Sequence, residues 1–321
     1  MYKLFFTLLL LLPASLLKAQ ANTINPTLLK GSWQADWISC PGIAQRAYGV
    51  YHFRKVFELN AKPDKFIIHI SADNRYRLFV NGHTVCSGPA RGNLYNWDFE
   101  TVDIAPFLES GKNIIAVLVW NMGEYAAVAQ VSNQTALVVQ GDAGAENGIN
   151  TNSSWKVYRD NAYTPCSMDN GQRLHAYMVT GPGDRVKGVD YPYGWEQLNY
   201  ADSSWLQARP VMRAEPAGYG SDNLWTLVPR TIPLMEETMQ RIKTIRRSSG
   251  MGPVSDFISG KDPLTVPAHK TASILLDQSY ETVAYPELIV SGGKGAVIKM
   301  TYAEALFKGF QKGNRNDIEG R

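Results

Sequence analysis

The sequence predicts an all-β protein, with paired sheets of the sandwich or jelly-roll kind in two consecutive domains, and three observations lead there. Apolar and polar residues alternate with period two over several short runs, as half-buried strands require. Asn81-Gly82 sits between two such runs, and both residues tolerate the positive φ that a tight hairpin turn demands. The runs follow one another closely with Gly, Pro and Asn between them, without the strand-helix alternation of a parallel sheet. The 321 residues are 45% hydrophobic and 19% charged, which suits a folded chain of more than one domain. With 11% aromatic residues and no long polar tract, disorder, collagen and coiled coil are excluded.

The chain opens on Lys3, an apolar stretch from Leu4 to Leu17 and a small residue at Ala19. Residues 1–19 therefore read as a secretory signal peptide, the stretch being shorter than the roughly 20 residues of a membrane span. No Cys follows the expected cut, so the expected product is periplasmic or extracellular, with no membrane span after signal removal. Without Lys3 and Lys18 the chain keeps 30 basic against 29 acidic residues, which offers no excess for phosphate and argues against nucleic acid as a partner.

From Phe66 to Ala72, residues 66, 68, 70 and 72 share one strand face, which puts His69 on the solvent side. Arg75 to Val80 alternates, turns at Asn81-Gly82 and returns through His83 to Cys86. Asp103 to Leu108, closed by Gly111, fits a helical turn, and Asn113 to Trp120 is apolar on both faces, as a central covered strand would be. Two turns echo each other, Asn152 to Trp155 and Asp202 to Trp205, each with an Asx-Ser pair ahead of a core Trp. The echo reads as shared turn chemistry, since the flanks do not match. A glycine-proline turn falls at Gly181 to Gly183, and the domain changes near Pro229 to Pro233. Leu234, Met235, Met239, Ile242 and Ile245 have helical spacing, which alone favours an amphipathic helix over 234–247. Strands return at Ala272 to Leu276, Glu287 to Val290 and Ala296 to Tyr302, with a turn over Ser291 to Gly295.

Cys40, Cys86 and Cys166 allow at most one disulfide, so disulfides do not hold this fold. They form no CxxC, and His52, His69, His83, His175 and His269 follow no metal-ligand spacing, so neither a metal site nor a cofactor is expected.

Specific strings then accumulate. Trp33 to Ile38, Phe53-Arg54-Lys55 with Phe57, Ala72-Asp73-Asn74 before Tyr76, Phe79 to Gly82, Thr101 to Ile104, and Gly111 with Asn113 and Ile115 to Val117 resemble the N-terminal jelly-roll module of bacterial α-L-rhamnosidases. That module is itself similar to the galactose-binding-like domain of β-galactosidases. Asp277 with Glu281, the Gly292 to Gly295 turn, Thr301 to Glu304 and Lys312 to Arg315 resemble the second β-sandwich of the same enzymes. The resemblance implies a galactose-binding-like jelly roll over 30–230 and a second, smaller β-sandwich over 235–321, with 234–247 taken as strand-forming despite its spacing. In that family the acid and base lie in a helical (α/α)₆ barrel after the sandwiches, and the chain ends at Asp317 to Arg321 ahead of one. The expectation is thus a noncatalytic front part of a secreted glycoside hydrolase. The whole enzyme would remove terminal α-L-rhamnosyl groups from plant glycans or glycosides, and this part would support the barrel and help hold the carbohydrate. A stand-alone lectin-like module is the competing reading.

Glycoside hydrolysis needs two carboxyls at a set separation. Asp98 and Glu100, two apart in a predicted strand, form the best internal pair, against the plainer reading of a solvated face with Phe99 in the core. Sugar binding needs flat aromatics for pyranose faces and polar groups for hydroxyls. Arg91, Asn93, Tyr95 and Trp97 in one loop, with Asn121 and Glu124 after the central strand, are the candidate contacts; no residue is assigned a catalytic role.

Overall fold

A computed structural model describes residues 24–302 apart from 128, 167–182 and 253. The expected leader, Gly181-Pro182, His175 and the strings after Tyr302 lie outside the described residues. The chain divides into two compact units, the first ending at Met235 and the second beginning at Glu236.

Among the described residues, the first unit carries fourteen strands: β1 (Asp36–Ser39), β2 (Gly49–Leu59), β3 (Ile67–Asp73), β4 (Arg75–Val80), β5 (His83–Gly88), β6 (Trp97–Asp103), β7 (Gly111–Asn121), β8 (Ala136–Gly141), β9 (Lys156–Arg159), β10 (Tyr163–Cys166), β11 (Gly183–Val186), β12 (Leu206–Gln207), β13 (Arg209–Arg213) and β14 (Leu227–Pro229). One six-stranded sheet runs β13-β1-β8-β3-β6-β14 and another runs β12-β9-β2-β7-β4-β5, while β10 and β11 form a separate hairpin. The all-β sandwich is the predicted one. Asn81 and Gly82 take φ of 49° and 82° in the β4–β5 turn, and Ala105–Phe107 is a short 3₁₀ turn where a helical turn is predicted.

Between the sheets lies one core, in which Tyr51 and Phe53 of β2, Ile68 and Ile70 of β3, Leu78 of β4 and Val117 and Val119 of β7 meet around Trp155. The alternate residues are buried too. Trp97 and Phe99 of β6 pack outside the first sheet with Trp33, Trp37 and Trp225, and Ile114 and Ala116 of β7 pack outside the second with Trp195 and Trp205. A strand whose two faces are both covered has no reason to alternate, which explains why β3 is buried at all seven positions.

Two expectations are corrected by this second layer. His69 is fully buried, not on the solvent side. Trp33 lies 5.9 Å from its ring, while Thr101 and Asp142 engage its two nitrogens at 2.9 Å each. Nor do Asp98 and Glu100 lie on a solvated face: Phe99 points outward under Trp33, and Glu100 is buried at 1% exposure.

The echoed turns acquire a structural meaning. Trp155 N–H closes on Asn152 C=O at 3.2 Å and Trp205 N–H on Asp202 C=O at 3.1 Å. The strands that follow pair with each other, Leu206 with Val157 and Gln207 with Lys156.

The second unit contains β15 (Thr244–Ser249) antiparallel to β16 (Ser273–Asp277), and α1 (Ser255–Ser259), which ends on Gly260 at φ 76°. Of the 234–247 segment, the last residues are strand and 234–243 have no regular structure. The turn at Gly292 and Gly293 forms, with Ala296 N–H bonded to Gly293 C=O at 2.8 Å. The flanking runs 287–290 and 296–302 carry no regular secondary structure, and Ile289 and Val297 are 88% and 92% exposed. A run with strand-like composition becomes a strand only against a partner edge, and among the described residues neither run has one.

Candidate functional site

The strand registers bring one set of loops to a single end of the sandwich. Asn121 is opposite Gly49, Trp120 opposite Arg75, Gly88 opposite Tyr76, Ala136 opposite Asp73, and Trp97 beside Leu227. The β1–β2, β5–β6 and β7–β8 loops therefore leave from the same end as the short β3–β4 connection at Asn74. All six candidate sugar contacts lie in or next to two of these loops.

Buried polar groups hold the loops in place. Asp73 is fully buried, and its carboxylate accepts from Asn74 Nδ2 at 2.6 Å, Asn133 N–H at 2.6 Å and the Trp225 indole N–H at 3.0 Å. Burial pushes this carboxyl up to about 6, against the pull of those donors. Asn74 Oδ1 accepts from Met122 N–H at 3.1 Å, and Asn121 accepts from Gly123 N–H at 2.8 Å while donating to Ser132 at 3.1 Å. Gly123, at φ 57°, lies so near the Tyr48 backbone that a Cβ there would meet its nitrogen at 2.4 Å. A side chain at this position would force the β1–β2 and β7–β8 loops apart.

In the β5–β6 loop, Asn93 Oδ1 takes the N–H groups of Tyr95 and Asn96 at 2.9 and 3.0 Å, an Asx turn of the kind that fixes loop shape. Trp97 is 3% exposed and its indole N–H has no partner among the described residues. Asn93, itself exposed, and the buried Trp97 and Asn121 thus build the end of the sandwich, and Arg91, Tyr95 and Glu124 project to solvent, Tyr95 with 63% exposure.

Glu100 faces into the same end. Its carboxylate accepts from Tyr76 Oη at 2.6 Å, Ala90 N–H at 2.8 Å and Arg230 Nη1 at 3.0 Å, and burial raises it against these partners. Asp98 is also raised by burial, with Arg230 opposing. A general acid or base must reach substrate, and Glu100 has both oxygens engaged inside the protein. Arg230→Ala strands a buried carboxylate, and it should lower the unfolding free energy by about 3 kcal/mol in urea titrations at pH 7.

Sequence reasoning missed a second buried polar centre, outside the second sheet. His52 Nε2 and Asp160 Oδ2 are 2.9 Å apart, both fully buried, with the Trp195 ring 4.2 Å from the imidazole. Burial holds this histidine below its ordinary range, so it is neutral at pH 7, although Asp160 pulls the other way. Next to it Arg54, 1% exposed, donates to Asp202 at 2.9 Å, to Gln197 C=O at 3.0 Å and to Trp195 C=O. The available signal was a charged residue inside an apolar run, Phe53-Arg54-Lys55, because such a residue persists only with a partner. Among the described residues, no group of His, Cys, Asp or Glu is placed to hold a metal ion, and no helix is long and apolar enough to cross a membrane.

The site belongs to an all-β sandwich whose loop end is braced by buried carboxylates and amides, with polar and aromatic side chains left at the rim. No protein-family model matches the chain, and no curated protein matches it. Solved structures do. The chain is similar to the GH78 family rhamnosidase of Bacillus sp. GL1, at 25% identity and a TM-score of 0.58, over 69% of this chain and 22% of that one. It also matches the α-L-rhamnosidase from Dictyoglumus thermophilum at 22% identity and a TM-score of 0.45, over 63% of this chain and 22% of that one. The chain therefore spans about a fifth of the length of the rhamnosidases it matches.

Proposed function

We propose that this chain is the noncatalytic β-sandwich part of a secreted glycoside hydrolase resembling the α-L-rhamnosidases. The whole enzyme would remove terminal α-L-rhamnosyl groups from plant glycans or glycosides. This part would support a helical catalytic barrel and present Arg91, Tyr95 and Glu124 toward the carbohydrate. The observation that carries the reading is the shared fold, a TM-score of 0.58 to a rhamnosidase over 69% of the chain. The engagement of Glu100 with Tyr76, Ala90 and Arg230 supports placing the chemistry elsewhere.

An aryl α-L-rhamnoside tests it. The 321-residue protein should release no aglycone, and a product of the same gene extended past Arg321 should release it. Turnover by the 321-residue protein, abolished in Asp98→Asn, would replace this reading with that of a complete enzyme. A coding sequence that stops at Arg321, together with glycan binding by the purified chain, would favour the lectin-like module.

A further inference from the structure

Tyrosines gather on the β2 side of the loop end, away from the β5 edge that carries Arg91 and Tyr95. Tyr48 precedes β2, Tyr163 opens β10, and Tyr191 and Tyr193 follow β11. The Tyr163 and Tyr191 rings are 6.2 Å apart at 63°, those of Tyr191 and Tyr193 4.9 Å apart at 69°, and Tyr125 stands 6.4 Å from Tyr48 at 80°. These edge-to-face contacts form angled walls in place of a flat stack. Tyr193 is 72% exposed, with its hydroxyl over Gly188, where a Cβ would come within 3.2 Å of it. Tyr48 Oη donates to Asp184 Oδ1 at 2.5 Å, and Asp184 is exposed. Burial, followed by the neighbouring Tyr191, raises the Tyr163 phenol to about 12, and Tyr48 is raised as well, by burial and then by its bond to Asp184. These hydroxyls remain proton donors throughout the physiological range. Arg185, next to Asp184 in β11, is exposed, and Lys187 is paired with Asp190 at 2.7 Å.

We propose that Tyr48, Tyr163, Tyr191, Tyr193 and Asp184 form a second carbohydrate-contacting surface, one that takes pyranosides. Apolar faces of sugar rings lie on exposed aromatic rings, and tyrosine gives that area at small rotamer cost. A carboxylate already oriented by one phenol keeps lone pairs for a sugar diol, whose hydroxyls donate to it in a charge-assisted bond. The inference rests on the carbohydrate-handling reading above.

Calorimetric titration of the full 321-residue chain with methyl α-L-rhamnopyranoside and xylohexaose tests it. Binding of a neutral probe is expected, weakened about fivefold or more in Tyr193→Ala, in line with the loss of one stacked ring, and weakened in Asp184→Asn. Both altered residues are exposed, and unchanged circular dichroism separates lost contact from lost fold. Unaltered affinity in both variants, or no binding of a neutral probe, would overturn the surface. So would shielding of Tyr193 by protein in a longer gene product. Aglycone release by that product is read separately, so failure here leaves the hydrolase reading standing.

Discussion

Replacing Arg54 with methionine should lower the unfolding free energy by about 3 to 5 kcal/mol, the range for breaking a buried ion pair. The guanidinium is 1% exposed, and Asp202 would keep only Lys156, at 2.7 Å, as a cationic partner. The carbonyls of Trp195 and Gln197 would each lose a donor as well. Because these carbonyls belong to the segment covering the outer face of the second sheet, the loss should be local first. Trp195 and Trp205 should become accessible to an acrylamide quencher at denaturant concentrations where Trp155, in the central core, remains protected. Simultaneous exposure of all three would show that the cover does not open separately. Lys at this position should recover only part of the stability, since one ammonium cannot reach acceptors spread over three residues as a planar guanidinium does.

The second large effect is a pH dependence centred on Asp73. Its carboxyl titrates at about 6 in the folded chain, against an ordinary value of 3.8. Between these values the folded state holds a proton that the unfolded chain has released. Stability contributed by this group is therefore greatest below about pH 4, falls as pH rises to about 6, and then levels off. A shift of about two units corresponds to about 3 kcal/mol across that window. Because the lowered values of His52 and His69 add stability as pH rises over the same range, the decline is read as the difference in urea midpoint between the wild type and Asp73→Asn, which should shrink from pH 4 to 7. The same variant should be less stable at every pH, because one of the donors from Asn133, Trp225 and Asn74 would then face an amide N–H₂. A wild-type advantage over Asp73→Asn that grows from pH 4 to 6 would contradict the assignment to Asp73.

What could be read from the sequence was the part that depends on neighbours along the chain. The β4–β5 hairpin followed from Asn81-Gly82, and β7 from its unbroken apolar run, because turn dihedrals and two-sided burial leave local traces. The side of a strand that a residue faces was not legible at β3 or β6. His69 and Phe99 were assigned as though each sheet had one dry face and one wet face, while Trp33, distant in sequence, covers both residues. The polar centres escaped for the same reason: Arg54 meets Asp202, and His52 meets Asp160, only after β2, β9 and the segment before β12 have assembled. The six candidate contacts all lie at one end of the sandwich. The sequence could not separate Asn93 and Asn121, which shape the loops, from Arg91, Tyr95 and Glu124 at the rim, since all are polar residues in turn-rich stretches.

In the first unit, indoles and phenols from elsewhere in the chain roof each six-stranded sheet on its outer side. Among the described residues, a neighbour approaching either broad side therefore meets this roof and not the strands beneath it. The strands reach their margins at β5, β12, β13 and β14, so altering the bulk of residues along those margins changes what a partner strand would meet without disturbing the interior.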